Sequence, residues 1–139
     1  MNIKNIEHIG IAVGDLESAV KTYESLLGCP CYKTESVDSE KVDTAFFQTG
    51  SSKIELLGAH NEDSVIAKYV AKRGEGLHHI AFAVDDIYAE MQRLREAGFR
   101  LLQEEPKHGA DNKLVAFVHP KNSRGVLVEL CQERPEEDA

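Results

Sequence analysis

Two histidines and two glutamates occupy positions that suit one divalent metal ion. The segment IEHIGIAVGDL, residues 6–16, lies over LHHIAFAVDDI, residues 77–87, so that His8 falls on His79 at an offset of 71 (79 − 8). A second match sets KIELL over VLVELC and puts Glu55 on Glu129 at an offset of 74 (129 − 55). In a duplicated fold, equivalent positions are brought together by the pseudo-twofold relation between the halves. All four residues sit inside apolar runs, and a carboxylate in such a run must be paired or bound to a cation. Two neutral imidazoles and two carboxylates carry two negative charges, which a divalent ion neutralises. Nitrogen and oxygen donors without thiolate suit Co²⁺, Ni²⁺, Mn²⁺, Fe²⁺ or Zn²⁺, and four protein ligands leave two octahedral positions for water or a chelating substrate. A single strand histidine is ordinarily a packing or surface residue; the argument rests on both pairs falling at equivalent positions. The remaining histidines carry no such pairing. His78 points to the strand face opposite His79, His60 and His108 sit in polar loops, and His119 precedes a proline turn.

The elements that must hold these four repeat as well. Residues 6–13 and 77–84 alternate with period two, the pattern of a half-buried strand. Asp15 and Asp86 follow as helix N-caps. The first helix carries the apolar stripe Leu16, Ala19, Val20, Tyr23, Leu26 and Leu27, and the second a sparser one, Ile87, Met91 and Leu94. Gly28 and Gly98 supply the left-handed geometry that ends each helix. Strands are then predicted near 31–37, 42–49 and 52–58 in the first half, and near 99–104, 113–119 and 125–132 in the second. The expectation is an α+β fold of two βαβββ modules, residues 3–59 and 76–132, in one domain spanning 1–139. A linker helix over 61–74 is expected between them, with Asp63 as its cap, Val65, Ile66, Tyr69 and Val70 on one side and Gly74 at its close. Residues 133–139 read as an acidic, frayed tail.

Composition bounds the function. In 139 residues there are 16 Lys and Arg against 24 Asp and Glu, a net charge of −8, with 42% hydrophobic and 29% charged residues. These proportions are those of a globular domain, and no stretch approaches the roughly 20 apolar residues of a membrane span. The acidity and the scattered basic residues argue against nucleic acid. The N-terminus has no secretory pattern, so a cytoplasmic location is expected. Cys29, Cys31 and Cys131 are an odd count without zinc-site spacing and read as reduced thiols. An anionic substrate would need local Lys or Arg, or a bound cation, to be held by so acidic a chain.

The segments GLHHIAFAVDDI and HPKNSRGVLVEL, together with IEHIGIAV, KIELL and EEPKHGADNK, resemble the vicinal oxygen chelate superfamily and, within it, the methylmalonyl-CoA epimerase family. The resemblance covers nearly the whole chain and implies an open metal-containing β-cup built from the paired modules. It places metal ligands on His8, Glu55, His79 and Glu129, with Co²⁺ favoured. Glu55 stands where epimerases often have Gln and looks more like the carboxylate of glyoxalase I. The implied reaction is inversion at C2 of methylmalonyl-CoA, a step of propionate metabolism, through an enolate whose charge the cation stabilises.

Inversion needs a base on each face of the enolate, or one base with exchange from solvent. Glu129 is implied as one. The other falls in VDSEKV, which lacks the family's glycine; strict superposition lands on Ser39, and of the flanking Asp38 and Glu40, Glu40 is favoured. Lys107, Lys113, Lys121 and Arg124, expected in the loops of the second half, are candidates for the phosphates of an acyl-CoA. The resemblance also implies a homodimer. The alternatives are a glyoxalase-I-like lactoylglutathione lyase and a metal-free binding module of the same fold.

Overall fold

The computed structural model describes residues 3–134. In chain order its elements are β1 (Ile3–Ala12), α1 (Leu16–Leu27), β2 (Lys33–Val37), a 3₁₀ turn (Asp38–Glu40), β3 (Val42–Thr49) and β4 (Ser52–Ala59). There follow α2 (Val65–Arg73), β5 (Gly76–Val84), α3 (Ile87–Glu96), β6 (Lys107–His108), β7 (Lys113–Val118) and β8 (Val128–Glu133). The chain forms two compact units. The first is Ile9–His78; the second runs from the chain's start to His8 and resumes at His79. The frayed tail expected over 133–139 falls, from residue 135 on, outside the described residues.

In the first unit the strands follow the order β2, β3, β4, β1. The antiparallel β3–β4 hairpin turns at Thr49 and Ser52, with Phe46 opposite Glu55. Helix α1 starts where Asp15 accepts from the Ser18 N–H and stops at Gly28, whose φ of 69° is left-handed. Leu16, Ala19, Val20 and Tyr23 pack on Val13, Ala45, Phe47 and Leu56. Here one expectation fails. Leu26 is 69% exposed and Leu27 36%, because the chain turns back after Gly28 and it is Cys29 and Cys31 that join this cluster. Close approach of α1 to β4 is built around Gly58, where an added Cβ would lie 2.9 Å from Leu16 Cβ. The linker helix also begins later than expected. Asn61 Oδ1 takes the Asp63 N–H, which leaves Ser64, not Asp63, to cap α2 by accepting from Ala67. Ile66, Tyr69 and Val70 pack against Ala12, Val42 and Leu57, whereas Val65 is exposed.

In the second unit the order is β1, β5, β8, β7, β6. β5 and β8 run parallel, with Ala81 beside Glu129; β7 and β8 are antiparallel, with Phe117 beside Glu129. Asp86 caps α3 by accepting from Ala89. Ile87, Met91 and Leu94 bury as the stripe predicts, against Val84, Ala116, Val118 and Leu130. Glu90 is buried on the same helix, its carboxylate held by Arg93 Nε at 2.8 Å. The strand expected at 99–104 is reduced to a single bridge, Leu101 to Val118. Two backbone bonds flank that bridge, from the Leu102 N–H to the Phe117 carbonyl and from the His119 N–H to the Arg100 carbonyl, and beyond them side chains take over. Gln103 Oε1 accepts from the Phe117 N–H, and the Arg95 guanidinium takes the carbonyls of Gln103 and Glu104. The last strand begins at Val128 rather than near 125, since Arg124 and Gly125 both take positive φ in the preceding turn.

Candidate metal centre

Three of the four residues singled out by the repeat meet in the second unit. His8 comes from β1, His79 from β5 and Glu129 from β8, and all three are about 95% buried. His8 Nε2 lies 3.0 Å from His79 Nε2. Glu129 Oε1 lies 3.1 Å from His79 Nε2 and 3.6 Å from His8 Nε2. The imidazoles stand edge to face at 89°, and the His79 ring packs edge-on against Phe117. The strands explain the convergence: β5 lies between β1 and β8, so side chains on one face of three adjacent strands share a centre.

These spacings fit a metal ion. Two donors each about 2.1 Å from one ion stand about 3.0 Å apart at a right angle and about 3.4 Å apart at the tetrahedral angle. The two pairs made by His79 Nε2, at 3.0 and 3.1 Å, fall in that range, and the third, His8 Nε2 to Glu129 Oε1 at 3.6 Å, lies just beyond it. The carboxylate is held ionised. Burial pushes the Glu129 carboxyl up, but the His79 and His8 imidazoles beside it outweigh burial and hold the pKa at about 2.

Glu55 lies in the first unit on β4, 4% exposed, in register with Phe46. The Phe46 ring is flanked by Tyr32 and has the Lys33 ammonium 5.3 Å from its centroid. Glu40 ends the 3₁₀ turn and is partly buried, while Asp38 and Ser39 are exposed. That turn is tied down by Asp43, which accepts from Ser36 Oγ at 2.5 Å and pairs with His60 Nε2 at 2.7 Å. The His60 N–H in turn donates to the Lys41 carbonyl. The Ser36 bond and His60 hold the Asp43 carboxyl below its ordinary range, against the opposing effect of burial.

The basic residues are distributed differently from the expectation that all four lie in loops. Lys107 is on β6, its ammonium 5.9 Å from the centroid of Phe117. Lys113 is buried within β7 and pairs with Glu133 at 3.3 Å. Lys121 and Arg124 are exposed in the turn after β7. His119 is a turn residue, its Nδ1 accepting from the Lys121 N–H. Glu7, which the repeat does not mark, places its Oε1 2.8 Å from His8 Nδ1; its one signal in the sequence is a charge next to His8 in an apolar run. With Cys131 it forms a second group around His8, the donor atoms within 4.8 Å of one another.

Residues 7–117 match the family model of the glyoxalase/bleomycin resistance protein/dioxygenase superfamily. An ethylmalonyl-CoA/methylmalonyl-CoA epimerase of Cereibacter sphaeroides is 42% identical over 132 residues, spanning 94% of this chain and 98% of its own. The solved structure of a variant of the Streptomyces coelicolor methylmalonyl-CoA epimerase, in complex with 2-nitronate-propionyl-CoA, superposes with a TM-score of 0.90 at 37% identity. It spans 96% of this chain and 99% of that one. A lactoylglutathione lyase of Haemophilus influenzae is more distant, 31% identical with 93% of each chain covered. The chain therefore belongs to the glyoxalase/bleomycin resistance protein/dioxygenase superfamily and, within it, to the methylmalonyl-CoA epimerase family.

Proposed function

We propose that this chain interconverts the (2R) and (2S) forms of methylmalonyl-CoA through an enolate. The observation that carries the reading is the buried His8, His79 and Glu129 trio, whose donors are spaced for one divalent ion, in a chain whose similar proteins are epimerases of this substrate class. His8, His79 and Glu129, with Glu55 as the fourth ligand, would hold the ion, of which Co²⁺ is the favoured identity. When bound, it supplies Lewis acidity that lowers the energy of negative charge on the thioester oxygen.

The protein's own part is proton transfer and orientation. Glu129, ionised at neutral pH, takes the C2 proton on one face as a general base. Glu40 serves the opposite face, so that the proton gained at C2 and the proton lost from it come from different sides. The turn bearing Glu40 is held by the Ser36–Asp43–His60 contacts, which supports its use as a fixed group; Asp38 and a water near Ser39 are the other groups of that turn. Lys107, Lys121 and Arg124 contact the coenzyme phosphates, and Lys113, held by Glu133, lends its charge from the strand. The enzyme works as a homodimer in the cytoplasm.

Incubation with (2S)-methylmalonyl-CoA in D₂O tests the proposal, run beside lactoylglutathione formation from methylglyoxal and glutathione. Loss of optical configuration with deuterium at C2 is expected. Turnover of the hemithioacetal alone would instead favour the lyase, the reaction to which the Glu55 carboxylate lends weight. Inactivity towards both, in protein that takes up no metal, would point to the metal-free binding module.

A further inference from the structure

His8 presents its two ring nitrogens to two different partners. Nε2 faces His79 and Glu129, at 3.0 and 3.6 Å. Nδ1 faces Glu7 Oε1 at 2.8 Å, in a contact where the Glu7 side chain is 13% exposed and that of His8 7%. Successive strand residues ordinarily point to opposite faces, so a glutamate at position 7 has no default reason to touch the ring of residue 8. Here it does, and at the length of a charge-assisted hydrogen bond.

A carboxylate accepts hydrogen bonds and donates none. The proton of this contact therefore sits on His8 Nδ1, and a neutral imidazole protonated there has its lone pair on Nε2. That is the nitrogen aimed at the other two donors. A carboxylate behind a ligating histidine fixes ring and tautomer together and raises the basicity of the distal nitrogen.

We propose that Glu7 is a positioning residue of the metal centre, holding His8 in the Nδ1–H tautomer so that Nε2 is presented to a divalent ion. The inference rests on the metal-site reading above. It differs from the other role the cluster of Glu7, His8 and Cys131 would allow, in which Glu7 is itself a ligand of a second ion bound through Nδ1.

The test uses the full chain as wild type, Glu7→Gln and Glu7→Ala. Long-range ¹H–¹⁵N correlation of the metal-free wild type, with His8→Gln as the assignment control, should show His8 in the Nδ1–H form, and in Glu7→Ala a mixture of tautomers. Competition with a chromogenic chelator for Co²⁺ should give one ion per chain throughout. Affinity should be about 10- to 100-fold lower in Glu7→Ala and intermediate in Glu7→Gln, whose amide oxygen still accepts the Nδ1–H. An Nε2–H tautomer in the wild type overturns the inference. So does a Glu7→Gln affinity equal to wild type, or a second ion lost on mutating Glu7, while either leaves the first metal site standing. A wild type that takes up no Co²⁺ overturns both the inference and the reading beneath it. Should Glu7→Ala fail to fold, the nearly isosteric Glu7→Gln carries the same comparison.

Discussion

His79 and Glu129 leave little room for compensation, because each is a buried donor facing the other at 3.1 Å. His79→Ala and Glu129→Ala should each abolish stoichiometric Co²⁺ by elemental analysis of gently purified protein; retention in both would exclude these ligands. Uptake by wild type should weaken as the pH falls, because protons compete with the ion for its nitrogen and oxygen donors. Glu40→Gln should abolish racemisation and leave metal content intact, with deuterium exchange at retained configuration still proceeding from the face that Glu129 serves; full racemisation would remove Glu40 from the mechanism. Asp43 gives a pH signature away from the metal. Its carboxyl is lowered from 3.8 on folding, so its contribution is complete above that value and lost as the pH falls through the lower, folded one. The pair with His60 is solvent-accessible, so the contribution is about 0.2–1 kcal/mol. Urea unfolding of Asp43→Asn should differ from wild type at pH 6 and converge with it towards pH 2.

Among the elements, α1 and β4 approach closely at Gly58. With Leu16 Cβ 2.9 Å from where a Gly58 Cβ would be, Gly58→Ala should cost about 1–3 kcal/mol by overpacking, read as a lower urea midpoint. Met91→Ala, which empties a fully buried position on α3, should cost about 2–5 kcal/mol, whereas Leu26→Ala should stay within about 0.5 kcal/mol. The contrast shows what periodicity reveals. The order of helices and strands was legible because period two and period 3.6 are local properties, and the two aspartate caps follow from local chemistry. A stripe on a helix does not say how far the surface beneath it extends, so Leu26 and Leu27 could not be told from Val20 and Tyr23. The 99–104 segment differs for a related reason: beyond the Leu101 bridge, Gln103 and the Arg95 guanidinium satisfy backbone groups in place of further ladder bonds, and the local pattern carries no sign of that substitution. Convergence of His8, His79 and Glu129 was legible through the repeat. The Glu7 contact was not, since neighbours on a strand are expected to part.

For the molecule as a whole, the net charge of −8 makes a bound cation the natural means of holding an acyl-CoA anion, and no helix among the described residues is long and apolar enough to cross a membrane. Light scattering at micromolar concentration should give the mass of a dimer; a monomer would count against the homodimer. The unit carrying the trio is assembled from the two ends of the sequence, with the whole of Ile9–His78 inserted between. On the ribosome, His8 emerges long before His79, and His79 before Glu129. The other unit is a continuous stretch that can close on itself while synthesis continues, but the donor set stays incomplete until β8 is made, and the loop from His8 to His79 must be closed before it forms. Nascent chains halted before Val128 should therefore hold no metal, so that metal loading marks synthesis through β8.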